Sequence, residues 1–94
     1  MEKLETIVEE IRSEFEAKSA VRDTALQRSR TLIRYCANAI RAAHRGDWAE
    51  GEELLTTASQ AARELVADLE DYPDLFYAGY TQDALKEYVE AQAV

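Results

Sequence analysis

One cysteine, one proline and three glycines are all that 94 residues contain of the usual staples and breakers. Cys36 has no partner in the chain, which rules out an internal disulfide and fits a reducing compartment. Its neighbours Tyr35 and Ala37 supply nothing that would activate a thiolate, so core packing is the favoured reading. The chain also lacks an apolar run long enough to span a membrane. Its opening residues, Met1-Glu2-Lys3-Leu4-Glu5, are too acidic for a signal or transit peptide. A cytoplasmic protein with no membrane partner is the expectation. Lysine is scarce as well, because eight of the eleven bases are arginine.

What remains is helix-forming composition: Ala, Leu, Glu and Arg dominate, and 47 % of residues are hydrophobic, too many for a disordered chain. Nineteen acids leave a formal net charge of −8. An acidic surface that prefers Arg to Lys suits a halophilic cytoplasm. A globally acidic protein repels phosphate, so any nucleic-acid contact needs a local basic patch.

The pattern predicts an all-α fold: an antiparallel bundle of three helices, the first one long. Segment one runs from about Glu2 to Arg45. Its apolar residues recur every three or four positions, at Leu4, Ile7, Val8, Ile11 and Phe15, and resume at Ala25, Leu26, Leu32, Ile33, Cys36 and Ile40. A helix that long needs partners along its length. Gly46 can take the left-handed conformation that closes it. Asp47, three residues before Glu50, then opens segment two with a capping box. Trp48 reads as a packing anchor at its start. The second break is Asp71-Tyr72-Pro73-Asp74, where proline cannot continue a helix and Asp74 serves as N-cap of segment three. That segment meets no stop signal, which reads as a chain cut short.

Two faces carry chemistry. Arg30, Arg34, Arg41 and Arg45, spaced four, seven and four, fall within roughly 60° of one another on a helix. Half of the arginines of an acidic protein thus share one line, beside His44. Guanidiniums arranged this way can follow a phosphate backbone and stack on bases. The alternative is that they pair with acids on neighbouring helices, and His44 reads as a helix-end residue near the C-terminal dipole. On segment three, Asp83, Glu87 and Glu90 share a face and could hold a divalent cation through oxygen. The same spacing recurs in Glu50/Glu53 and Asp68/Asp71, so a solvated face is the competing reading. Tyr72, Phe76, Tyr77 and Tyr80 flank the second break, where core packing is favoured over stacking on bases.

Segment three, Phe76-Tyr77-Ala78-Gly79-Tyr80-Thr81-Gln82-Asp83-Ala84-Leu85-Lys86-Glu87-Tyr88-Val89-Glu90-Ala91, resembles the most recognisable helix of the translin family. Its core, Glu87-Tyr88-Val89-Glu90-Ala91, is similar to the stretch found in translin-associated factor X. Ser29-Arg30-Thr31 and His44-Arg45-Gly46 also sit where related helices place comparable residues, and archaeal translin-like proteins are the nearest in character. The resemblance covers residues 15–94 and implies the N-terminal half of an all-α domain about twice this length. It implies hollow homo-oligomers, commonly octamers, that bind single-stranded RNA or DNA. It also implies, for the factor X type, a Mg2+-dependent endoribonuclease whose catalytic pair maps to Glu87 and Glu90. Later helices supply another catalytic acid there, so this chain by itself is expected to lack a complete active site and to expose an apolar face. A helical scaffold with no nucleic-acid role is the alternative.

Overall fold

Forty-three residues, Glu2–His44, form one continuous helix, α1, in the computed structural model, which describes residues 2–93. At about 1.5 Å per residue such a helix is ~65 Å long. It sets the 68 Å long axis of the molecule, against 17 and 15 Å across. Glu2 and Glu5 in its first turn and Arg41 and His44 in its last complement the helix dipole. Gly46 closes it with φ +79°, donating its N–H to Ala43 at 3.0 Å. His44 is the terminal helical residue, as its position near the dipole suggested.

Helix α2, Trp48–Asp68, returns antiparallel to α1. The Asp47 carboxylate accepts a hydrogen bond from the Glu50 backbone N–H at 3.2 Å, so half of the expected capping box is present. The other half is replaced. The Glu50 side chain turns to Arg45 at 2.9 Å, and the Asp47 N–H goes to the Ala42 carbonyl. Gly51, one turn further, lets the two helices approach: a Cβ built there would lie 3.6 Å from the Ala39 carbonyl oxygen.

Segment three is two helices, not one. Pro73–Phe76 forms a single turn, α3, and Gly79–Gln92 forms α4. Ala78, extended at φ −62° and ψ 147°, separates them. The break is stabilised from α4: buried Thr81 donates its hydroxyl to the Leu75 carbonyl at 2.9 Å, and Gln82 donates to Phe76 O at 2.8 Å. Orphan carbonyls at the end of α3 are satisfied in this way. Asp74 is not an N-cap. Tyr72 holds that position without a side-chain bond, and Asp74 pairs with Lys18 of α1. That ion pair fixes α3 near the middle of α1, and α4 starts from there. The last turn of α4 reaches Ala39 and Ala43 of α1 and Gly51 of α2. The bundle is therefore up, down, up, with α2 antiparallel to both neighbours.

The core is narrow because its residues are small. Seven of its buried members are alanine: Ala25, Ala39, Ala42, Ala58, Ala62, Ala84 and Ala91. Leu32, Leu65, Leu69 and Leu75 supply the large side chains, with Cys36 among them. Trp48 is no anchor: 62 % of it is exposed. It stands at the first position of α2, at the mouth of a shallow cavity shared with Ala39 and Ala43 of α1, and helical spacing alone does not reveal that exposure. Among the described residues, every one from Glu2 to Ala17 is exposed, so the N-terminal third of α1 projects beyond the bundle without a partner.

Two buried hydroxyls, Ser29 Oγ and Tyr80 Oη, have no hydrogen-bond partner among the described residues. A buried hydroxyl without a partner retains its full desolvation cost. Ser29→Ala and Tyr80→Phe are each expected to raise stability by about 1 kcal/mol, a Tm gain of roughly 4–8 °C in a domain of this size. Thermal melts of the single variants check this, and a loss of stability would mean that each hydroxyl is satisfied in solution.

Candidate nucleic-acid interface and carboxylate face

The arginine face is built by the periodicity of α1. Ser29, Leu32, Cys36 and Ala39 turn inward, and Arg30, Arg34, Arg41 and Arg45 consequently turn outward. All four are exposed. Arg41 donates to Asn38 Oδ1 at 3.0 Å on its own helix, and Arg45 pairs with Glu50 across the turn. Arg30 and Arg34 have no ion pair among the described residues. The pairing with acids of a neighbouring helix expected of such a stripe is met at Arg45 alone, and the larger interhelical role falls to Arg28, which lies off the stripe. Arg28 reaches Glu64 at 2.7 Å and Asp68 at 2.6 Å, although its Nε–H toward Asp68 is misaligned for a hydrogen bond. Hydrogen bonds from Gln60 and from Arg28 hold the Glu64 carboxyl below its ordinary range.

One signal in the sequence reinforces the stripe. From Thr24 to Gly46 there is no Asp or Glu, although nineteen acids occur in the chain. Arg28, Arg30, Arg34, Arg41, His44 and Arg45 all fall in that stretch. The distal half of α1 is therefore a basic rod on an acidic protein. From Arg30 to Arg45 the line runs about 22 Å at the helical rise.

The three carboxylates of α4 differ in exposure. Asp83 and Glu90 are exposed, and Lys86 lies 4.0 Å from Glu90. Glu87 is half-buried at the edge facing α1, where its charge is felt by Cys36. Among the described residues, no three His, Cys, Asp or Glu side chains come together as a group able to hold a metal ion. Asp83, Glu87 and Glu90 share a helix face as their spacing predicts. Of the aromatic group, Tyr72, Phe76 and Tyr80 pack against the core, and Tyr77 is 73 % exposed with its ring edge-on to Phe76 at 4.9 Å.

Cys36 is fully buried, as expected of a core residue. Burial first, and the nearby negative charge of Glu87 second, push its thiol up to about 11 from 9.0. The unfolded thiol thus ionises before the folded one. The stabilisation is complete below pH 9 and is lost as pH rises toward 11. Alkaline destabilisation over that window is expected to exceed that of Cys36→Ala by roughly 1–2 kcal/mol. Denaturant midpoints measured from neutral to alkaline pH check this, and identical pH profiles would show that Cys36 does not titrate there.

No family model, no curated protein and no solved structure matches this chain. None of the described helices is long and apolar enough to cross a membrane.

Proposed function

We propose that this chain is a translin-type module that binds single-stranded RNA or DNA along the arginine face of α1, in the cytoplasm and as a homo-oligomer. One observation carries the reading. Arg30 and Arg34 project from an acid-free half-helix, directed away from the bundle and free of ion pairs among the described residues. A basic line on a protein of net charge −8 localises whatever affinity for phosphate the molecule has. Guanidiniums supply bidentate phosphate contacts and stack on bases without regard to sequence. Ile33, at the edge of the stripe, is 36 % exposed and offers apolar contact beside it.

Binding of a fluorescent single-stranded RNA across a salt series tests the proposal. The series includes the molar salt that a halophilic protein needs to fold. Affinity that falls linearly in log–log form, with duplex bound more weakly, is the expected result. A folded chain that binds no RNA at the lowest salt would leave the scaffold reading. Magnesium-dependent cleavage is a separate matter, because the carboxylates here do not gather into a metal group. No cleavage is expected from this chain. RNA scission by it that disappears in Glu87→Gln or Glu90→Gln would assign the catalytic pair to this helix.

A further inference from the structure

The exposed N-terminal third of α1 has a register of its own. Leu4, Val8, Ile11 and Phe15 alternate at spacings of four and three, the a/d pattern of a coiled coil. Ile11 is 61 % and Phe15 67 % exposed. The same register, carried through Lys18 and Arg22, arrives at Ala25, Ser29, Leu32 and Cys36, which the bundle buries. One stripe therefore runs along α1, sealed over its distal part and bare over its first four turns. A bare stripe of five large apolar side chains, Ile7 included, is of the size that marks an interaction site on a monomer.

We infer that the bare arm pairs antiparallel with the same arm of a second copy, setting Leu4 against Phe15 and Val8 against Ile11 of its partner. Two independent features select this occupant and this direction. The first is steric. In a parallel pair, the second α1 would follow the stripe straight into α2 and α4, which already occupy it. Run antiparallel, each copy carries its own bundle off the free end of the other, and the arms overlap without obstruction. The second is charge. In the antiparallel register Glu5 lies beside Arg12 of the partner, and twofold symmetry repeats the match. A parallel register sets Ile7 beside Arg12 and Glu14 beside Ser19, with no ionic match. Glu5 is engaged by no ion pair among the described residues, and Arg12 makes a loose 3.4 Å contact with Glu9 on its own helix. The result is a rod with a three-helix bundle at each end and both arginine faces exposed. The inference rests on the assembly part of the reading above and is independent of nucleic-acid binding.

Sedimentation velocity and small-angle scattering on the full chain, over a concentration series reaching the millimolar range, test it. The expected species is an extended dimer of roughly 110 Å maximum dimension, from two 68 Å molecules overlapped along their arms. Ile11→Glu is expected to weaken association by roughly a hundredfold with the bundle's melting transition unchanged, because Ile11 lies on the bare arm, outside the bundle core. Glu5→Arg and Arg12→Glu are each expected to weaken it about tenfold, because each sets like charges against one another at both symmetric positions. An equimolar mixture of the two variants is expected to restore association, since opposite charges then face each other again at both positions. A chain that stays monomeric throughout would overturn both this contact and the assembly reading. Oligomers that survive Ile11→Glu, or compact ones near 70 Å, would overturn the arm contact and leave assembly through another surface standing.

Discussion

Arg30→Glu/Arg34→Glu is expected to weaken single-stranded RNA binding by roughly a hundredfold at moderate salt, and to lower the log–log salt slope by about 1.4, at ~0.7 for each phosphate no longer neutralised. The two sites are the ones to change because their side chains are exposed and engaged in no ion pair among the described residues. Their replacement leaves the interactions of the fold intact, so weakened binding reports on the surface and not on folding. Reversal in place of neutralisation adds repulsion to the loss of attraction, which is why the effect exceeds that of removing two ordinary phosphate ligands. Arg30→Lys/Arg34→Lys sharpens the result. It keeps the charge and the slope, and gives up bidentate geometry and stacking, so a milder loss is expected. Fluorescence anisotropy across the salt series measures both quantities. Unchanged affinity in the double reversal would remove α1 as the phosphate surface.

The other large effect lies in the core. Leu65→Ala is expected to cost about 2–5 kcal/mol, which for a chain of this length is on the order of half its total stability. Leu65 is fully buried near the C-terminal end of α2. Its weight comes from its surroundings. With seven alanines in the core, a handful of leucines supply most of the apolar surface removed from water. A void left at Leu65 is filled only in part by relaxation of its surroundings, so a cavity penalty adds to the transfer loss. Urea unfolding should show a lower midpoint with an unchanged m value. A loss below about 1 kcal/mol would show that the bundle relaxes around the site.

Much of this architecture was readable residue by residue. Gly46 and Asp47 end one helix and begin the next through backbone conformation and a local hydrogen bond, and both act as their chemistry predicts. The common direction of Arg30, Arg34, Arg41 and Arg45 follows from 3.6-residue periodicity alone. Other features were not accessible in that way. Pro73 marks a break, but the split of segment three at Ala78 depends on Thr81 and Gln82 reaching back to the carbonyls of Leu75 and Phe76. Trp48 belongs to the apolar set of α2 by spacing, yet most of it stays exposed. Arg28 stands outside the stripe and became the interhelical clamp only because α2 places Glu64 and Asp68 opposite it.

The sequence by itself determined the first two helices, the turn between them and which residues share a face, because each of these is settled by interactions within a few positions along the chain. The tertiary structure alone decided which faces are covered. The stripe beginning at Leu4 and the one ending at Cys36 are a single pattern in sequence, and α2 and α4 seal one part of it and leave the other bare. Covering a face requires a partner from a distant part of the chain, and periodicity carries no information about where that partner begins.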